Sequence, residues 1–210
     1  MTECHVINGI IFMSISTVKI ILIVFFSCLV ALLSAQEHHL ELKYVGVGWH
    51  PSDEGMNASK MPLKIDNDGK FMLNIGLTGS WERYFKEDGK LSLEIMGAYY
   101  YDCAMAPDAV LHIGFRGTIF TKGKHSLNGG IGPTILLRRN WHAVIPDYEN
   151  SGYFHGDEDD YFQYKFYWYG GEIEYNYAFN EKSSLSVSFI PGFPKYVALF
   201  IGYELKLGKK

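Results

Sequence analysis

The sequence is poor in cysteine, and what it has does not pair. Of three cysteines, Cys4 and Cys28 fall in an N-terminal segment that reads as removable, so Cys103 would stand alone and no intramolecular disulfide can form in the remainder. Charge of one sign is also scarce. The formal net charge is -4, and no Lys/Arg cluster accompanies a nucleic-acid-binding motif, which excludes nucleic acid as a partner. Beyond Gln36 the chain lacks a second long hydrophobic run of helical type. Charged residues at 20% against 48% hydrophobic exclude a disordered chain. What is abundant is aromatic residues, 16% with 15 Tyr and 14 Phe, together with 22 Gly, a combination suited to strands and tight turns. The length of 210 residues fits one domain.

The first 35 residues read as an address. Ile20 to Leu33 (ILIVFFSCLVALLS) is an apolar run of signal-peptide length, preceded by Lys19 and followed by the small residues Ser34 and Ala35. Residues 1–35 are therefore expected to be a cleaved signal helix, with Met13 an alternative start and 36–210 the mature domain. A retained anchoring helix counted from Ile7 is the alternative. Polar Ser14, Ser16, Thr17 and Lys19 divide that stretch.

After Gln36 the pattern alternates with period two, the sign of strands whose faces meet different surroundings. From Phe71 to Tyr84, Phe71, Leu73, Ile75, Leu77 and Trp81 point one way, and Asn74, Thr78, Ser80 and Glu82 the other. Further strands follow the same rule, among them Leu91 to Tyr101, Leu111 to Ile119 and Leu127 to Arg138. Near Phe162 to Phe179 the pattern sets Tyr167, Ile173, Tyr175 and Tyr177 against Trp168, Glu172 and Glu174. With a first strand from about His39 to Trp49 and two more after Asn180, the total is eight, an even number that closes a barrel. Tight polar turns fall after strands two, four and six, and the longer loops 51–69 and 142–160 follow strands one and five. One belt of outward aromatics would hold Trp81, Tyr175, Tyr177, Phe179 and Tyr203, the other Phe71, Tyr99, Tyr101, Trp141 and Tyr167. The expected fold is all-β: an eight-stranded antiparallel up-and-down transmembrane barrel. A soluble calycin-like barrel, apolar inside, is the rival that alternation alone leaves open.

In this strand number, turn order and belt pattern, Glu37 to Leu207 resembles the small outer-membrane barrels typified by OmpA's transmembrane domain and OmpX. The resemblance is one of architecture, without a shared motif. It implies a monomer in the bacterial outer membrane, surrounded by outer-membrane lipid and offering loops 51–69 and 142–160 to an extracellular ligand.

A lumen this narrow is filled by side chains. Inward residues Glu94, Arg116, Glu172, Glu174, Glu204 and Lys206, with Glu41, Lys43 and Glu82, are expected to form an ion-paired plug, Glu94 and Arg116 first among the pairs. A narrow pore is the functional alternative. A lipid-modifying enzyme, of lipid A deacylase or acyltransferase type, is another, with His112, His142 and His155 as candidate bases. His112 faces inward toward Tyr100 or Asp102. None of the three has a nucleophile and an acid at recognisable spacing, so the reading leans to a structural or loop-binding protein. The run Asp157, Glu158, Asp159, Asp160 offers oxygen ligands for calcium but lacks EF-hand spacing. No cofactor is expected: Gly129 to Pro133 (GGIGP) lies within a strand with no helix following, and Pro133 marks a candidate bulge.

Overall fold

The computed structural model describes residues 6–7, 10–11, 37–50, 56–85, 90–192 and 196–207. The expected signal segment around Ile20 to Ala35, with Met13, lies outside the described residues, as do most of the turn from Lys86 to Lys90 and the start of loop 51–69. The chain divides into Met1–Gln36 and Glu37–Lys210. In the first unit Val6–Ile7 pairs antiparallel with Ile10–Ile11.

The second unit is a closed barrel of eight strands: β1 (His38–Trp49), β2 (Phe71–Tyr84), β3 (Leu91–Tyr101), β4 (Pro107–Lys122), β5 (His125–Arg139), β6 (Phe162–Asn180), β7 (Ser183–Gly192) and β8 (Tyr196–Leu207). Each strand pairs antiparallel with its sequence neighbours, and β8 closes on β1 with Leu207 opposite His38. Closure leaves no free edge. Both barrel termini and the short β4–β5 and β6–β7 connections lie at one end, the turn end. The connections β1–β2, β3–β4, β5–β6 and β7–β8 lie at the other, the loop end.

The wall has apolar residues outside and charge inside. Leu42, Leu77 and Phe115 are 56–60% exposed, whereas Glu94 and Arg116, at 0% and 1%, are closed within the barrel. That sense excludes the calycin-like alternative, whose interior is apolar. Strand lengths of 10–19 residues suffice to cross a bilayer, for which about 9–11 tilted residues are needed. The described residues contain no helix long and apolar enough to span.

Glycine is required where backbone geometry or crowding demands it. Gly123, at φ +61°, takes the first central position of the two-residue β4–β5 hairpin, where a primed turn needs a left-handed residue. At Gly132 a Cβ would overlap the carbonyl of Ile113 on the adjacent strand.

Two belt assignments are corrected. Between the pairs Gly132–Gly170 and Thr134–Tyr167, β5 advances two residues and β6 three, so β6 bulges opposite Pro133, which has no N–H for the ladder. The extra residue reverses the facing of β6 toward the loop end. Trp168 points outward, 75% exposed, while Tyr167 turns in and its hydroxyl meets that of Tyr153. Trp141 is not on the wall at all. It begins a 3-10 turn, Trp141–Ala143, buried among the loops. Other belt members are outside: Phe179 stacks on Tyr203 at the turn end, and Trp49 on Phe71 toward the loop end.

Candidate functional site: the charged lumen and the loop cap

The lumen toward the turn end collects inward residues of six strands, because positions of one parity on neighbouring strands share a face. Arg116 of β4 sits at its centre. Its Nη1 lies 3.3 Å from Glu94 Oε1 and 3.6 Å from Glu82 Oε2, its Nε lies 3.7 Å from Glu172 Oε2, and its Nη2 donates to Glu174. Lys43 of β1 bridges Glu41 and Glu174, with Glu172 at 3.7 Å. Ser80 donates to Glu41 at 3.0 Å and Asn176 to Glu174 at 2.8 Å. Glu204 stands apart from Arg116 and pairs with His39, Nδ1 to Oε1, at 2.5 Å. Lys206 lines the half-open mouth beyond it, with Glu37, Lys124 and Asn128. His39 is the member that sequence reasoning passed over. Its signal was available, since it shares the parity of Glu41 and Lys43.

Charges inside so narrow a space must be paired to offset desolvation, and here two strong cations serve several carboxylates. Among the described residues the one grouping of carboxylates tight enough for a single ion is Glu41, Glu174 and Glu204, within 4.8 Å. Lys43 and His39 already hold these three.

At the loop end the connections form a cap with its own small core. A short helix, α1 (Met56–Lys60), packs beside the β5–β6 loop: Asn57 Nδ2 donates to Glu149 O at 2.8 Å, and Lys60 Nζ to Pro146 O and Asp147 O. Met61, Met72, Cys103, Ala104, Ala106, Trp141 and Ile145 are buried together beneath. Asp102 of the β3–β4 link ties this core. Its Oδ1 accepts from the N–H groups of Ala104 and Ala106 at 2.9 Å, and its Oδ2 accepts from the Trp141 indole at 2.7 Å. Burial pushes the Asp102 carboxyl above the usual carboxylate range, against the pull of the Ala106 N–H and the Trp141 indole.

The candidate bases have separate surroundings. His112 Nδ1 lies 2.6 Å from Thr134 Oγ1, and His112 pairs across the sheet with Met96 and Thr134. Tyr100 and Asp102 are not its neighbours, because Tyr100 stands opposite Asp108, four residues up β4. A threonine hydroxyl beside a histidine has the outline of a nucleophile and base, but both are buried, and His112 Nε2 has no hydrogen-bond partner to orient the ring. His142 sits edge-on to Tyr148, and His155 pairs with Tyr164 through the backbone. The acidic run does not converge on an ion site. Buried Asn140 donates its side-chain amide to the carbonyls of Asp157, Glu158 and Asp160, and Asp160 accepts from Asp157 N–H.

An antiparallel eight-stranded wall that is apolar outside, with an ion-paired lumen and short turns at one end, defines a transmembrane β-barrel of the small outer-membrane type. The structure is similar to Ail, the attachment invasion locus protein of Yersinia pestis, with a TM-score of 0.50 at 8% identity over 82% of this chain and 99% of that one. It is also similar to the outer membrane protein OprG of Pseudomonas aeruginosa, with a TM-score of 0.46 at 14% identity over 83% of this chain and 97% of that one. At such identity the likeness to Ail speaks for the fold. No protein-family model matches the sequence, and no curated protein matches it.

Proposed function

We propose that the chain is exported with cleavage near Ala35, inserts into the bacterial outer membrane as a monomer, and works as a non-enzymatic binding protein through its cap. The observation that carries this reading is the packing of α1 against residues 146–149 over a buried core, which holds the loop end in one shape. Rigid scaffolds that order their loops place binding there. A filled lumen favours this over conduction; against acyl transfer, His112 Nε2 has no hydrogen-bond partner and the carboxylate near His142, Glu158 at 3.9 Å, is exposed and beyond hydrogen-bond reach.

The test has two arms. An epitope inserted at exposed Gly152 is expected to bind antibody on intact cells, and purified protein incubated with lipid A or phospholipid is expected to release or transfer no acyl chain. An epitope reached only after cell lysis would overturn the orientation. Acyl release abolished by His112→Ala, His142→Ala or His155→Ala would replace the binding role with catalysis.

A further inference from the structure

Where the lumen meets the cap, a cavity of about 50 Å³ is lined by wall and loop together, among them Tyr100, Asp108, Arg138, Trp141, Tyr153 and Phe154. An inward row crosses four strands here: Tyr100 of β3 stands opposite Asp108 of β4, Asp108 opposite Arg138 of β5, and Arg138 opposite Gln163 of β6. Opposite charges side by side in such a row ordinarily pair. These do not.

Arg138 is committed elsewhere. Its Nε donates to Gln163 Oε1 at 2.9 Å and its Nη2 to the Tyr148 hydroxyl at 2.8 Å. The guanidinium carbon lies 3.8 Å from the ring centres of both Trp141 and Phe154, so the cation is sandwiched between two aromatic faces. Asp102, the other carboxylate lining the cavity, uses both oxygens on the cap. Asp108 Oδ1 is shut from solvent with no hydrogen-bond partner. Tyr100 bonds the same carboxyl group, but Oδ1 itself lacks the donor that would offset its own desolvation.

We propose that this cavity binds a small primary alkylammonium, whose N–H groups donate to Asp108 Oδ1 while its stem lies along the aromatic wall. Three features select that chemistry. The one guanidinium at the cavity is already committed to Gln163, Tyr148 and two rings, and the acceptor left over is the Asp108 oxygen, which favours a cation that donates over an anion. The rings of Tyr153 and Phe154 suit an apolar stem and the positive charge beside it. At about 10–15 Å³ for each water-sized group, the volume holds on the order of three or four heavy atoms, the size of ethylammonium. Exposed Ser151 also lines the cavity and gives it an opening among the loops. The inference rests on the cap and the row beneath it, and stands whatever the role of the cap surface.

The test is a titration of the protein in lipid nanodiscs with ethylammonium chloride at constant ionic strength, followed by NMR at the Trp141 indole N–H on the cavity wall. A saturable shift is expected with ethylammonium and a non-saturating one with acetate or ethanol. Asp108→Asn, which keeps the shape and removes the charge, is expected to weaken binding at least tenfold. Ser151→Trp, at an exposed position, is expected to block entry and serves as the comparison if Asp108→Asn does not fold. A shift that never saturates with ethylammonium, equal saturation with acetate, or unchanged affinity in the folded variants would overturn the proposal.

Discussion

Arg116 shows most plainly how single residues hold this interior together. It reaches Glu82, Glu94, Glu172 and Glu174, and its removal leaves buried Glu94 without its ion pair and takes one cation from the other three. Breaking a buried pair from one side costs about 3–5 kcal/mol, so Arg116→Ala is expected to lose that much in urea unfolding of the lipid-embedded barrel. Arg116→Lys is expected to recover only part, since an ammonium lacks the planar fork that serves several partners. Asp102 adds a pH dependence at the cap. Its folded carboxyl titrates above the ordinary range, so the stability it contributes is present below that range and is lost as pH rises through its folded value. Cap amides followed by hydrogen exchange are expected to open more readily over that rise, and Asp102→Asn to flatten the dependence.

Among the elements, β4 carries the contrast between the two faces. Ile113 points to lipid, 43% exposed, near the middle of a strand running from residue 107 to 122, whereas Thr78 of β2 points to the lumen and donates to Gly97 O at 3.1 Å. Ile113→Arg is expected to cost about 2–4 kcal/mol in lipid, and Thr78→Ser far less. Equal costs would contradict the assignment of faces. The strands themselves were legible in the sequence because alternation repeats over ten or more residues, and Phe71 to Tyr84 was readable residue for residue. The inward set could be placed on one face for the same reason. Alternation breaks silently at a bulge, however. Pro133 marked the site on β5, but nothing in Tyr167, Trp168 and Tyr169 shows that the extra residue lies across the ladder on β6. The cap was not legible either. Asn57 and Asn140 act through bonds to backbone groups distant in sequence, and Asp102 through the distant Trp141 indole, which leave no periodic trace.

For the whole molecule, the barrel and its cap divide the work between membrane and loops. Apolar side chains cover the outer wall, ion pairs fill the turn end, and a second small core closes the loop end. Such a molecule is stable only where lipid covers its wall, since an exposed apolar surface of that extent is a liability in water. Membrane residence is therefore the claim on which the rest depends. Its most direct test is cell fractionation, with the recovered protein run on gels both boiled and unboiled. The account requires recovery of a shortened chain in the outer-membrane fraction, with a mobility that changes on boiling as the strands unpair. Recovery of the uncut chain from the inner membrane, or a soluble species with the same mobility in both lanes, would contradict it.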